Sequence, residues 1–176
     1  MELILSKAKL RPWNDKDAFA LAKHANNQKI AENMRDGFPF PYTIDDAYNW
    51  LNMAMKETRH VLLAIEVEGE AAGGIGIIFK ENVYRFSAET GYWLGEMHWR
   101  KGITSEAIAK LSDHVFTNTD IVRLYAEIFS PNTASMKTVS KAGFYPEAIN
   151  KNAVFKNGKL LDQHVYCKLK QEVSMR

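Results

Sequence analysis

The stretch "HWRKGITSEAI", residues 98–108, places two basic residues and a glycine directly before two hydroxyl residues and a helical pattern. Two readings compete on these residues alone. In the first, a surface turn leads into a helix capped by Thr104 or Ser105. In the second, Gly102 permits a tight turn that points several unpaired helix-start amides at one anion, with Arg100 and Lys101 adding positive charge at the rim. A nucleoside-triphosphate loop is a poor match. It requires lysine immediately before the hydroxyl residue, whereas Lys101 here precedes Gly102.

Working outward, the pattern is one of strands with helices inserted. Leu3–Leu10 reads as a strand, and Asn14 or Asp15 starts a helix carrying Ala18, Leu21, Ala22 and Ala25 on one face. Thr43 caps a second helix to about Glu57, with Ala47, Trp50, Leu51 and Ala54 as its apolar stripe. Two strands flank a turn at Glu68-Gly69. A third strand runs through "VYRFSAETGYWLG", Tyr84, Phe86 and Ala88 alternating with Arg85, Ser87 and Glu89. The helix after the opening stretch, Ser105 to about Thr117, turns Ile108, Leu111 and Val115 inward. The strand "VRLYAEIF" follows, then the helix "NTASMKTVSKAG" stopping at Gly143, and two strands joined at Asn157-Gly158. This order predicts an α/β (or α+β) architecture around one mixed sheet. A dinucleotide fold needs regular βαβ alternation and a G-x-G-x-x-G turn, and neither occurs.

The chain has 176 residues, 46% hydrophobic and 25% charged, the composition of an ordinary globular protein of about one domain, read as a single unit over 1–176. A formal net charge of +2 with no long basic run argues against a nucleic-acid partner. No run of about 18 apolar residues suggests a membrane span, and the start lacks the apolar core of a secretory leader. With a single cysteine, Cys167, and no Cys/His metal spacing, a reducing, cytoplasmic setting without metal is expected. Homodimerisation stays open at this level.

A second region changes the balance between the two readings. "NTASMKTVSKAGF", residues 132–144, is N-x-x-S followed at fixed distance by K-x-G-F. Together with Trp99, Lys101, Gly102, Ser105, Glu106 and Ala107 it resembles the GNAT superfamily of acetyl-CoA-dependent N-acetyltransferases. The resemblance is strongest to its ribosomal-protein alanine/serine N-acetyltransferase branch. "LRPW" (10–13), "FPFPYT" (38–43), "ETGYWLG" (89–95) and the segment Asp162 to Tyr166 extend the resemblance, in order, over about residues 9–170. One position departs: Thr104 stands where the family carries Gly or Ala.

The resemblance implies about seven strands with about four helices and a splayed pair of central strands. It also implies acetyl-CoA as co-substrate. Its pyrophosphate would lie on the loop Arg100, Lys101, Gly102, Ile103, Thr104 and Ser105. Its pantetheine would run along Tyr92, Trp93 and Leu94, and Asn132 and Ser135 would touch that arm. Asn132 is equally suited to cap its own helix. Transfer would be direct attack of an amine on the thioester within a ternary complex, with Glu89 as general base and Ser135 or Tyr166 returning a proton to the thiolate. A strand glutamate is otherwise a solvated or ion-paired residue, and Ser135 and Tyr166 are otherwise a cap and a packing residue. His98 reads as solvated. Phe38, Phe40 and Tyr42 are expected at the wall for the acceptor, a protein N-terminus or a small amine. A module that binds acyl-CoA without turnover is the alternative.

Overall fold

The computed structural model describes residues 1–171, so the last five of the expected 1–176 unit lie outside the described residues. Its frame is one eight-stranded sheet in the order β1-β2-β3-β4-β5-β6-β8-β7. The strands are β1 Leu3–Ile4, β2 Lys9–Pro12, β3 Val61–Val67, β4 Glu70–Phe79, β5 Ser87–Leu94, β6 Arg123–Phe129, β7 Tyr145–Lys156 and β8 Lys159–Leu169. Five helices join them: α1 Ala18–Ala25, α2 Gln28–Ala31, α3 Ile44–Lys56, α4 Ile103–Asn118 and α5 Thr133–Lys141. The fold is the expected α/β arrangement, with one strand more than anticipated. The segment Leu3–Leu10 is not one strand but a hairpin, Leu3 pairing with Leu10 and Ile4 with Lys9.

Other boundaries shift for local reasons. Tyr84 and Phe86 do not belong to the third central strand. Residues 82–84 form a 3-10 turn, both aromatics are exposed, and β5 begins only at Ser87. Asn14 does cap a helical segment, by accepting from the Lys16 amide, yet the first turn is 3-10 and α1 proper starts at Ala18. The extra turn α2 is capped by Asn27. Thr43 caps α3 as expected, and Asp46 completes a reciprocal capping box with it. The turns at Glu68-Gly69 and Asn157-Gly158 hold both residues at positive φ (52° and 85°, 50° and 77°), the backbone that two-residue hairpins favour.

Two cores sandwich the sheet. Ile103, Ile108, Leu111 and Val115 of α4 and Val139 of α5 pack with Leu124, Ala126 and Ile128 of β6 on one face. Leu21 of α1 and Ala47 and Leu51 of α3 pack with Trp13 and Ala64 on the other. Gly74 lets Trp93 lie across β4, since a Cβ there would meet the Trp93 Nε1 at 2.9 Å and Trp13 at 3.2 Å. The near-buried Arg11 ties the β2 edge to the entry of α1. Its guanidinium forks onto Asp17 at 2.7 and 2.8 Å, and its Nε donates to Glu66 at 2.5 Å.

All neighbouring strands are antiparallel except β5 and β6. These two are parallel and pair only at Ser87, Ala88 and Glu89, against Arg123, Leu124 and Tyr125. Beyond Glu89 they part. That split positions everything that follows.

Candidate functional site

From Thr90 to Leu94 the β6-facing edge of β5 has no strand partner, although β4 pairs the opposite edge as far as Leu94. Backbone N–H and C=O groups left along such an edge are a template for an extended, amide-bearing ligand. The Leu94 carbonyl is taken internally, by the Trp99 indole N–H at 2.6 Å, which fastens the following loop to the end of β5.

That loop ends in the start of α4. Gly102 is the N-cap in a left-handed conformation, φ 81° and ψ −5°, and no side chain caps the helix. The capping reading of Thr104 or Ser105 is therefore corrected. The Ser105 hydroxyl donates to the Gly102 carbonyl at 2.9 Å instead of accepting from an amide. The first in-helix bond is that from the Glu106 amide to Gly102, so the Ile103, Thr104 and Ser105 amides face outward without an intrahelical acceptor. Arg100 also adopts a positive φ of 61°, a conformation costly for a side-chain-bearing residue. A bare helix start preceded by Arg100 and Lys101 suits an anion of phosphate type.

Two residues next to this loop are structural. Glu106 accepts from the Ser6 amide at 2.9 Å and its hydroxyl at 2.6 Å, tying the β1–β2 turn to α4; these bonds hold its carboxyl below the usual range. His98 is not solvated as expected. It is 5% exposed, with its ring 5.6 Å from that of His24. Burial, then the charge of Lys101 and then His24, lowers its pKa from the ordinary 6.5.

Across the split, Asn132 caps α5 by accepting from the Ser135 amide at 3.1 Å. The Ser135 hydroxyl lies 2.6 Å from the Tyr92 phenol oxygen, so the Tyr92 side chain spans from β5 to α5. Burial pushes the Tyr92 phenol up to about 12, which keeps it protonated at neutral pH. Tyr166, opposite Ala126 in the β6–β8 register, packs against the same core that Tyr92 touches.

Glu89 and Trp93 occupy the other face of β5, by the two-residue alternation of strands. Phe38 meets Tyr42 at 5.0 Å and Trp93 at 5.7 Å between ring centroids. Burial drives the Tyr42 phenol up to about 12. Phe40 stands apart from this cluster and is half exposed. Glu89, whose side chain is 13% exposed, is ion-paired on both oxygens, to Arg35 at 2.5 Å and Lys80 at 2.9 Å. Lys80 in turn sits over the Tyr125 ring. Sequence reasoning gave no role to Tyr92's hydroxyl, Arg35, Lys80 or Glu127. Glu127, two residues after Tyr125, shares a face with the residue opposite Tyr125, Glu89, but only the observed β5–β6 register reveals this.

Residues 7–145 match the acetyltransferase (GNAT) domain family. The chain belongs to the GNAT acetyltransferases. It is 32% identical over 130 residues to an uncharacterized N-acetyltransferase, p20, of Bacillus licheniformis, covering 74% of this chain and 67% of that protein. Among solved structures, a microcin C7 self-immunity acetyltransferase in complex with acetyl-CoA and AMP superposes with a TM-score of 0.82 at 26% identity. That match covers 94% of this chain and 93% of the other. A ribosomal L7/L12 α-N-protein acetyltransferase in complex with coenzyme A shares the fold, with a TM-score of 0.84 at 21% identity, over 95% and 96% of the two chains. Membership makes this GNAT domain an acetyl-CoA-dependent N-acetyltransferase. Among the described residues, no helix is long and apolar enough to cross a membrane.

Proposed function

We propose that the whole chain acts as one N-acetyltransferase unit that moves the acetyl group of acetyl-CoA to a primary amine, a protein N-terminus or a small amine, in a ternary complex. The reading is carried by one juxtaposition: the β5–β6 split opens directly after Glu89, and the uncapped start of α4 lies just beyond the open edge. Acetyl-CoA supplies the activated acyl group. The amides of Ile103 to Ser105, with Arg100 and Lys101, hold its pyrophosphate. The Tyr92–Leu94 edge aligns the pantetheine arm, and Asn132 and Ser135 border that arm.

The amine arrives on the other face, beside Trp93, Phe38 and Tyr42, with Phe40 at the outer rim. Its ammonium proton passes to Glu89, directly or through water, and the freed nitrogen bonds to the acyl carbon. The carbon–sulfur bond breaks, and the thiolate takes a proton from the Ser135–Tyr92 hydroxyl pair, with Tyr166 on the same face as a second donor. The second proton shed by the new amide nitrogen goes to solvent, which reprotonates the hydroxyl pair. The split thus separates proton acceptance on one face from proton return on the other, which suits two opposite transfers in one turnover.

Two measurements test this reading. Acetyl-CoA at millimolar concentration raises the melting temperature by linkage, whereas AMP and short DNA do not. Thiol release from acetyl-CoA then appears with members of a panel of alkylamines and alanine- or serine-initiated peptides. Binding without release from any amine would instead mark an acyl-CoA-binding module.

A further inference from the structure

A single guanidinium nitrogen stands at the mouth of the split. Arg35 Nη2 lies 2.5 Å from Glu89 Oε1 and 3.0 Å from Glu127 Oε2. Glu127 also accepts from the Gln163 side chain at 3.1 Å. Both glutamates project from the acceptor-side face, one from each diverging strand. Arg35 comes from the loop between α2 and α3 and is itself 67% exposed in its side chain. The same loop is held at Asp36 by Lys156 of β7, 2.8 Å away, and at Phe38 by Trp93. It therefore lies across the face from which an amine must come.

The charges count simply. Two carboxylates face this point, and Lys80 satisfies the far oxygen of Glu89. One positive charge remains to be supplied, and Arg35 supplies it. An incoming ammonium would supply it equally well, at the same distances from the same two oxygens.

We propose that Arg35 occupies the ammonium subsite of the acceptor and is displaced by it, with Glu127 as the second carboxylate of that subsite. Arg35 is then a specificity residue. It excludes weakly basic amines, which do not compete for the carboxylate pair, and selects acceptors that enter as cations without an anionic group beside the amine. This inference rests on the acceptor face assigned under the proposed function. The Arg35 side chain is largely exposed, so its displacement is compatible with ordinary substrate affinity.

The test measures binding of alaninamide to the full chain saturated with CoA, which does not depend on turnover. Arg35→Ala binds alaninamide about fivefold more tightly than the parent, the factor that about 1 kcal/mol of removed competition represents. Arg35→Lys, which keeps a cation, returns to near the parent value. Adding Glu127→Gln to Arg35→Ala weakens binding again by a similar factor. The KM for any turned-over peptide amide shifts in the same direction as the binding constant. Unchanged, weaker or undetectable binding to Arg35→Ala, with the melting temperature preserved, overturns the proposal. So does tighter binding of alanine than of alaninamide by the parent, because Arg35 would then be reading the carboxylate of the ligand. Absence of acetyl transfer to any amine strikes the proposed function instead, and the binding comparison still decides the role of Arg35.

Discussion

Gly102 separates the two roles of the loop before α4, because stability and cofactor affinity should respond to its replacement in opposite rank order. Its φ of 81° lies where side-chain-bearing residues are strained, and nothing lies within 4 Å of a Cβ built there. Gly102→Ala thus adds no clash within the protein, and its cost is the backbone alone, about 1–2 kcal/mol. For a chain of this size, each kcal/mol is about 2–4 °C in Tm, so a fall of roughly 2–8 °C is expected. Gly102→Asn is milder for stability, since asparagine tolerates the left-handed region. For the cofactor the order reverses. The open space over Gly102 is where the proposed pyrophosphate rests, and the larger asparagine intrudes further. Acetyl-CoA affinity by titration calorimetry should drop about tenfold for alanine, equivalent to about 1.4 kcal/mol, and more for asparagine. Scanning calorimetry on the same samples supplies the Tm order. If affinity follows the stability order, or stays constant while Tm falls, the loop is an ordinary turn and the pyrophosphate assignment fails.

Other perturbations follow from the same geometry. Glu89→Gln should lower kcat by about 100-fold or more, in the range of a lost general base, and leave acetyl-CoA binding intact; an unchanged rate removes Glu89 from that role. Tyr92→Phe should slow turnover and release the Ser135 hydroxyl while acetyl-CoA affinity changes little, as checked by steady-state kinetics beside calorimetry. Arg11→Ala strands the buried Asp17 carboxylate and should cost about 3 kcal/mol in denaturant unfolding, without a specific effect on acetyl-CoA affinity. The pKa of His98 is lower folded than unfolded, so below about pH 6.5 the unfolded chain binds more protons and stability falls with pH until the folded value is reached. His98→Asn should flatten that part of the Tm–pH curve. An identical slope in the variant would place the titration elsewhere.

Much of the fold was legible because its signals are local. Thr43 with Asp46, Asn132 with Ser135, and the Asn157-Gly158 turn each satisfy backbone groups within a few residues, so their residue types announce the structure. The two motifs likewise identified the loop and the helix that border the split. The strand at Leu3–Leu10 misled because alternation persists through a hairpin, and only the pairing of Leu3 with Leu10 reveals the turn. His98 looked solvated because its burial comes from α1, through His24, about seventy positions away. The charge network was invisible for the same reason. Arg35, Glu89 and Glu127 are brought together by the loop after α2 and the parallel pairing of β5 with β6, and no spacing in the sequence encodes that meeting.

In the proposed function, the open edge of β5 and the start of α4 form one acetyl-CoA site. Amide hydrogen exchange, resolved by residue with and without acetyl-CoA, tests this most directly. The prediction is simultaneous slowing at the Tyr92–Leu94 edge and at Ile103, Thr104 and Ser105. Protection confined to one of the two segments, or to neither at saturating acetyl-CoA, would contradict it.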